Sequence, residues 1–232
     1  MENTVAGYHT EEEQIQAIKD WWKDYGNTVL IGFGLALAIL FGWKAWQSSA
    51  KDKSDTAATA YMQMQDAAQA MRQQPPVASA ADGSKVETPQ HATFLHMAEQ
   101  IKKDYPDSGY AIMAALQLAR DKVDNNDAAA AEVELRWALD HKPNPALTTI
   151  INMRLARVLA MKGDIDGGLK VLEGIQPEAQ RAEYEEVKGD LYYAKGDMTK
   201  AREAYQASMN AGGGSASQAI LKTKLDDLAV AE

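Results

Sequence analysis

The sequence predicts an all-α protein with one N-terminal membrane-spanning helix, then a solenoid of stacked helix pairs closed by a C-terminal capping helix. Three observations predict it. The nineteen residues from Tyr25 to Trp43, "YGNTVLIGFGLALAILFGW", carry no charge in a chain that is otherwise 25% charged. Three aspartates, Asp127, Asp164 and Asp197, stand at turn-like positions 37 and 33 residues apart. The composition is rich in alanine and methionine and poor in phenylalanine, which suits helices better than sheets.

Residues 1–24 open with a polar tail and then a short amphipathic helix. Thr10 followed by Glu13 makes a capping box. Ile15, Ile18, Trp21 and Trp22 form its apolar stripe, suited to lying along a membrane surface before the chain turns in at Gly26.

Residues 25–46 are read as a membrane helix. At ~1.5 Å per residue, nineteen helical residues reach ~28 Å, against ~30 Å for a hydrocarbon core. Trp21, Trp22 and Tyr25 flank one end and Trp43 and Trp46 the other, where rings with a polar edge settle at headgroup level. A buried core helix would show a polar stripe, and Val29 to Trp43 has none. A cleaved signal has some support from Ser48 and Ala50, but the acidic Glu11, Glu12 and Glu13 ahead contradict the short basic lead such signals need. Gly34, Ala38 and Gly42 line small residues along one face, a candidate contact for a second membrane helix. Charge alone does not set the orientation: Lys19 and Lys23 precede the span, and Lys44, Lys51 and Lys53 follow it.

Residues 47–232 form the repeat domain. A helix is expected from Ser54, its cap, to residue 73. Residues 75–90 read as a loop, and a second helix runs from 91 and stops at Pro106. These two helices make a degenerate first unit. The next three segments each read as helix, tight turn and helix, centred on Asp127, Asp164 and Asp197, near the ~34-residue period of a tetratricopeptide unit. Ala131, Leu135, Ala138 and Pro143 fall at that repeat's signature offsets, as do Gly189, Tyr192, Ala201, Tyr205 and Ser208. The middle unit keeps Ala156, Leu159, Gly168, Leu172 and Ile175. Small residues let paired helices cross closely, and no pair buries its apolar face alone, so neighbours must stack. Residues 215–232, after Gly212 to Gly214, form the capping helix, with Ile220, Leu221, Leu225 and Leu228 facing inward.

Chemistry is sparse. A net charge of −9 argues against nucleic-acid binding. No cysteine means no disulfide, thiol catalysis or iron–sulfur cluster. His9, His91, His96 and His141 lack the spacing that aims two imidazoles at one metal. "GDIDGG" lacks the oxygen ligands of a calcium loop and reads as a turn. No catalytic, cofactor or metal site is expected. The functional signal is the concave groove that first helices of such pairs line. Its expected lining is Met113, Leu116, Arg120 and Val123, then Ile150, Met153, Arg157 and Ala160, then Glu183, Glu186, Asp190 and Tyr193. Methionines there would suit adaptable contact with apolar peptides.

"DWWKDYGNTVLIGFGLALAILFGWKAWQ", "YPDSGYAIMAALQLAR", "INMRLARVLAMKGDIDGGLKVLEGI" and "KGDLYYAKGDMTKAREAY" together resemble the YfgM-like family, the ancillary subunits of the bacterial SecYEG translocon. The loop at 75–90 is the main departure and looks like an insertion. The resemblance implies a single-pass inner-membrane protein of a Gram-negative bacterium, N-terminus in the cytoplasm and repeats in the periplasm. It implies a membrane-anchored periplasmic chaperone of the peptidyl-prolyl isomerase type as partner. With it, the protein would help pass emerging, unfolded secretory polypeptides from the translocon to folding factors, without enzymatic activity. The alternative with the same architecture is a membrane-anchored scaffold for envelope assembly or cell division.

Overall fold

The computed structural model describes residues 11–73, 88–212 and 215–230, and every element among them is helical. Among the described residues, nine α-helices follow in chain order: α1 Glu11–Gln73, α2 Pro89–Asp104, α3 Gly109–Asp124, α4 Ala128–Asp140, α5 Pro145–Met161, α6 Ile165–Leu172, α7 Arg181–Lys195, α8 Met198–Asn210 and α9 Ser215–Val230. A 3₁₀ turn, Glu178–Gln180, precedes α7. The chain divides into two units, residues 1–54 and 55–232.

In the first unit the chain does not turn at Gly26. The helix continues through it, and through Ser54, where a new helix was expected to begin. The Trp22 indole covers Gly26, so closely that an added Cβ would sit 3.1 Å from the ring. One glycine costs a helix about 1 kcal/mol, too little to break one with strong helix on both sides. Between Gly42 and Ser54 the sequence offers no glycine or proline to end it. Thr10, half of the expected capping box, lies outside the described residues. The ring pairs Trp21–Trp22, Trp21–Tyr25 and Trp43–Trp46 lie 6.3, 6.2 and 5.3 Å apart. The most apolar 18-residue window of α1 has a mean hydropathy of 1.8 and none of it is buried, so this helix is long and apolar enough to cross a membrane.

The second unit is the solenoid. The degenerate first pair is present: Met64 and Ala68 of α1 pack with Phe94, Ala98 and Ile101 of α2 and with Ala111, Ala114 and Leu118 of α3. Helix α2 begins at Pro89, capped by Thr88, two residues before the expected start. Of the loop expected at 75–90, residues 75–87 lie outside the described residues. Pairs α3/α4, α5/α6 and α7/α8 then stack in sequence, with α9 against α8. The largest core joins Leu116 of α3, Leu135 of α4 and Ile151, Leu155 and Leu159 of α5. On α9, Leu221 and Leu228 are buried and Leu225 partly so, whereas Ile220 faces outward, against expectation. Ile220 and Leu221 are adjacent and so sit ~100° apart around a helix of 3.6 residues per turn, too far to share a narrow contact with α8.

The three aspartates do one job three times. Each is the N-cap of the second helix, its carboxylate accepting from the N–H three residues on: Ala130, Gly167 and Lys200. Each also ends the first helix. The N–H of Asp127, Asp164 and Asp197 donates to the carbonyl five residues back, on Lys122, Leu159 and Tyr192. The residue before takes left-handed backbone, Asn126 at φ 60°, Gly163 at 86° and Gly196 at 83°. That is a Schellman stop whose last residue is at once the next helix's start. Asp127→Ala and Asp164→Ala should each lower stability by about 1 kcal/mol in urea unfolding, the ordinary worth of an N-cap. A change under a few tenths would mean water caps these helices as well as the carboxylate does.

Candidate functional site: a groove between neighbouring pairs

The groove lies between α3 and α5. Leu116, Ala119, Arg120 and Val123 line it from α3, Leu135 of α4 forms its floor, and Arg154, Arg157, Val158 and Met161 line it from α5, around a volume of about 400 Å³. The spacing explains the lining: 154, 157, 158 and 161 share one face of a 3.6-residue helix. Leu116, Ala119, Leu135 and Val158 are buried at the base, while Arg120, Arg154 and Met161 are exposed at the rim.

Of the residues expected in the groove, Leu116, Arg120, Val123 and Arg157 are brought together. The others are not. Met153 is 0% exposed and packs with Leu172 of α6 and Val187 and Leu191 of α7. Ile150 and Ala160 pack partly buried against that same cluster. The reason is a difference in spacing between first helices. Helix α5 packs directly on α7, closing over Met153, whereas α3 and α5 are separated by α4 and stay open. Met113 is exposed on α3 outside the lining, and Tyr193 is exposed on α7. Glu183, Glu186 and Asp190 also lie on α7, outside the groove, and each holds a cation. Glu183 meets Arg157 at 3.3 Å, and Lys224 of α9 meets Glu186 at 2.9 Å and Asp190 at 2.7 Å. Tyr205 of α8 donates its hydroxyl to Asp190 at 2.9 Å. Burial, with the Asp190 carboxylate beside it, pushes that phenol well above its ordinary value and keeps it a donor.

Arg154 was missed. It stands three residues before Arg157, a spacing that places both on one helix face, and that signal was available in the sequence. Among the described residues Arg154 has no ion pair, while Arg120 reaches Asp124 only at 3.8 Å. Exposed pairs of this kind contribute about 0–1 kcal/mol, so these guanidinium groups can change partners at little cost.

Gly34, Ala38 and Gly42 lie on the exposed surface of α1, and a Cβ added at Gly34 or Gly42 would meet nothing within 4 Å. His91 of α2 bonds Asp121 of α3 at 2.8 Å and ties the two helices together.

The chain is similar along nearly its whole length to curated proteins named ancillary SecYEG translocon subunit, the family suggested by its sequence. The Haemophilus influenzae protein is 28% identical over 218 residues, covering 94% of this chain and 97% of the relative. The Escherichia coli protein is 27% identical over 223 residues, covering 96% and 98%. The Aggregatibacter actinomycetemcomitans protein is 28% identical over 219 residues, covering 94% and 97%. No solved structure matches the chain. A tetratricopeptide repeat-like domain model matches residues 19–230, taking in the apolar helix as well as the solenoid whose turns and packing are described above, and the chain belongs to that family.

Proposed function

We propose that this protein is a non-enzymatic accessory subunit of the Sec translocon. Residues 25–46 anchor it in a bacterial inner membrane, with residues 1–24 in the cytoplasm and the repeat domain, 47–232, in the periplasm. It works beside a membrane-anchored periplasmic chaperone of the peptidyl-prolyl isomerase type and helps pass emerging secretory polypeptides to folding factors through protein–protein contacts. The observation that carries this reading is the reach of the similarity: it spans 94% or more of the chain in the three relatives above, anchor and repeats alike.

The architecture suits the task. A tether raises the local concentration of the repeats at the channel exit, so that weak contacts suffice. The exposed face of Gly34, Ala38 and Gly42 lets another membrane helix approach closely. The test is affinity purification of the full-length protein from membranes in a mild detergent, beside a version carrying an unrelated anchor. Translocon subunits and a periplasmic isomerase should co-purify with the first and be lost from the second. Gly34→Leu with Ala38→Leu should reduce recovery in the same direction. Recovery of division or envelope-assembly proteins in place of the translocon would overturn the function and leave the architecture standing.

A further inference from the structure

We infer that the α3/α5 groove is a dock for one short apolar segment bearing carboxylates, supplied by a resident partner protein, and is not a cradle for passing polypeptides. The inference rests on the accessory-subunit reading for the location of that partner.

Charge is the first argument. The chain carries a net −9, yet three guanidinium groups, Arg120, Arg154 and Arg157, converge on this groove. Several other cations of the solenoid meet carboxylates at closer range, Lys102 with Glu134, Lys162 with Glu132 and Lys195 with Asp166 at 2.6 Å and Lys200 with Asp197 at 3.0 Å, although Arg181 lies 3.6 Å from Glu185. At the groove the pairing is long for Arg120, shared across helices for Arg157, and lacking among the described residues for Arg154. Guanidinium forks match carboxylates in plane and spacing.

The floor is the second argument. A surface that accepts varied clients must repack, and methionine is the side chain that lets it. Met153, expected to provide this, is locked in the core, leaving a base of Leu116, Ala119, Leu135 and Val158 with Met161 alone at the edge. Fixed small and branched side chains in a groove of about 400 Å³ select a few apolar side chains of set shape.

The experiment places a photo-reactive benzoylphenylalanine at Met161 of the full-length protein in native membranes and identifies the attached peptide by mass spectrometry. One product is expected, from a single resident protein, and its peptide should be apolar and contain Asp or Glu. Arg154→Glu with Arg157→Glu should lower its yield roughly tenfold, the ratio that a 1.4 kcal/mol loss of binding free energy produces. Changing the partner's carboxylates to lysine should restore the yield in that double variant, an outcome that misfolding could not produce. A ladder of many secretory proteins, a product with a second copy of this chain, a peptide without carboxylates, or no product at Met161 would each overturn the dock. The translocon should co-purify equally with the wild type and the double variant, because the anchor is unchanged. Its absence from both would overturn the accessory-subunit reading, independently of what is attached at Met161.

Discussion

Gly189→Ala should destabilise the repeat domain by about 2–3 kcal/mol, as overpacking a tight core does. The sign is not obvious, because alanine favours a helix over glycine by about 1 kcal/mol. Sterics decide it. An alanine Cβ at 189 would overlap the Cδ1–Cε1 edge of the Tyr205 ring, well inside van der Waals contact. That ring has little freedom to move: it is 3% exposed, and its hydroxyl is held by Asp190. Urea unfolding of the wild type and the variant measures the loss. Tyr205→Leu combined with Gly189→Ala should cost clearly less than the sum of the two single changes, since the smaller side chain vacates the space. Additive losses would mean that the α7/α8 crossing is not set by this contact.

Glu134→Leu should be comparably damaging, by about 3 kcal/mol, because it strands a charge that burial has already desolvated. Lys102 of α2 and Glu134 of α4 meet at 2.6 Å with side chains only 10% and 11% exposed, and the ammonium also lies over the Trp137 ring at 5.2 Å. Glu99, at 3.2 Å but 60% exposed, is the partner that would remain. Adding Lys102→Met to Glu134→Leu should recover most of the loss, since apolar side chains of similar volume replace buried pairs at little cost. Denaturant midpoints of the two single variants and the double variant test this. A double variant no better than Glu134→Leu would show that the ion pair itself, not the avoidance of an unpaired charge, holds α2 to α4.

Much of the fold was legible because its signals are local. A turn that needs a left-handed residue followed by a cap leaves a short string, "NND" or "KGD", that a sequence displays directly. The continuity of α1 was less legible. Gly26 and Ser54 are weak punctuation, and whether a helix stops at such residues depends on what surrounds them, here the Trp22 indole over Gly26. The groove was legible by half. Helical periodicity placed Leu116, Arg120, Val123 and Arg157 on the right face. It could not say that α7 closes over Met153 while α3 leaves the neighbouring gap open, because that depends on how pairs pack and not on the order of residues within one helix. Arg154 falls outside the repeat's groove positions, which on α5 are 150, 153, 157 and 160, although its three-residue spacing from Arg157 is visible in the sequence.

The aspartate turns have a consequence for how this solenoid tolerates changes in length. One residue closes the first helix of a pair and opens the second, so each hairpin has no spare residue at its tip. An insertion there must pull the two duties apart and leave one helix end with bare backbone groups. The connection from α6 to α7 is different: residues 173–180 pass through an irregular segment and a 3₁₀ turn before α7 begins. Added sequence, such as an epitope or a fluorescent reporter, therefore belongs between pairs and not at their tips.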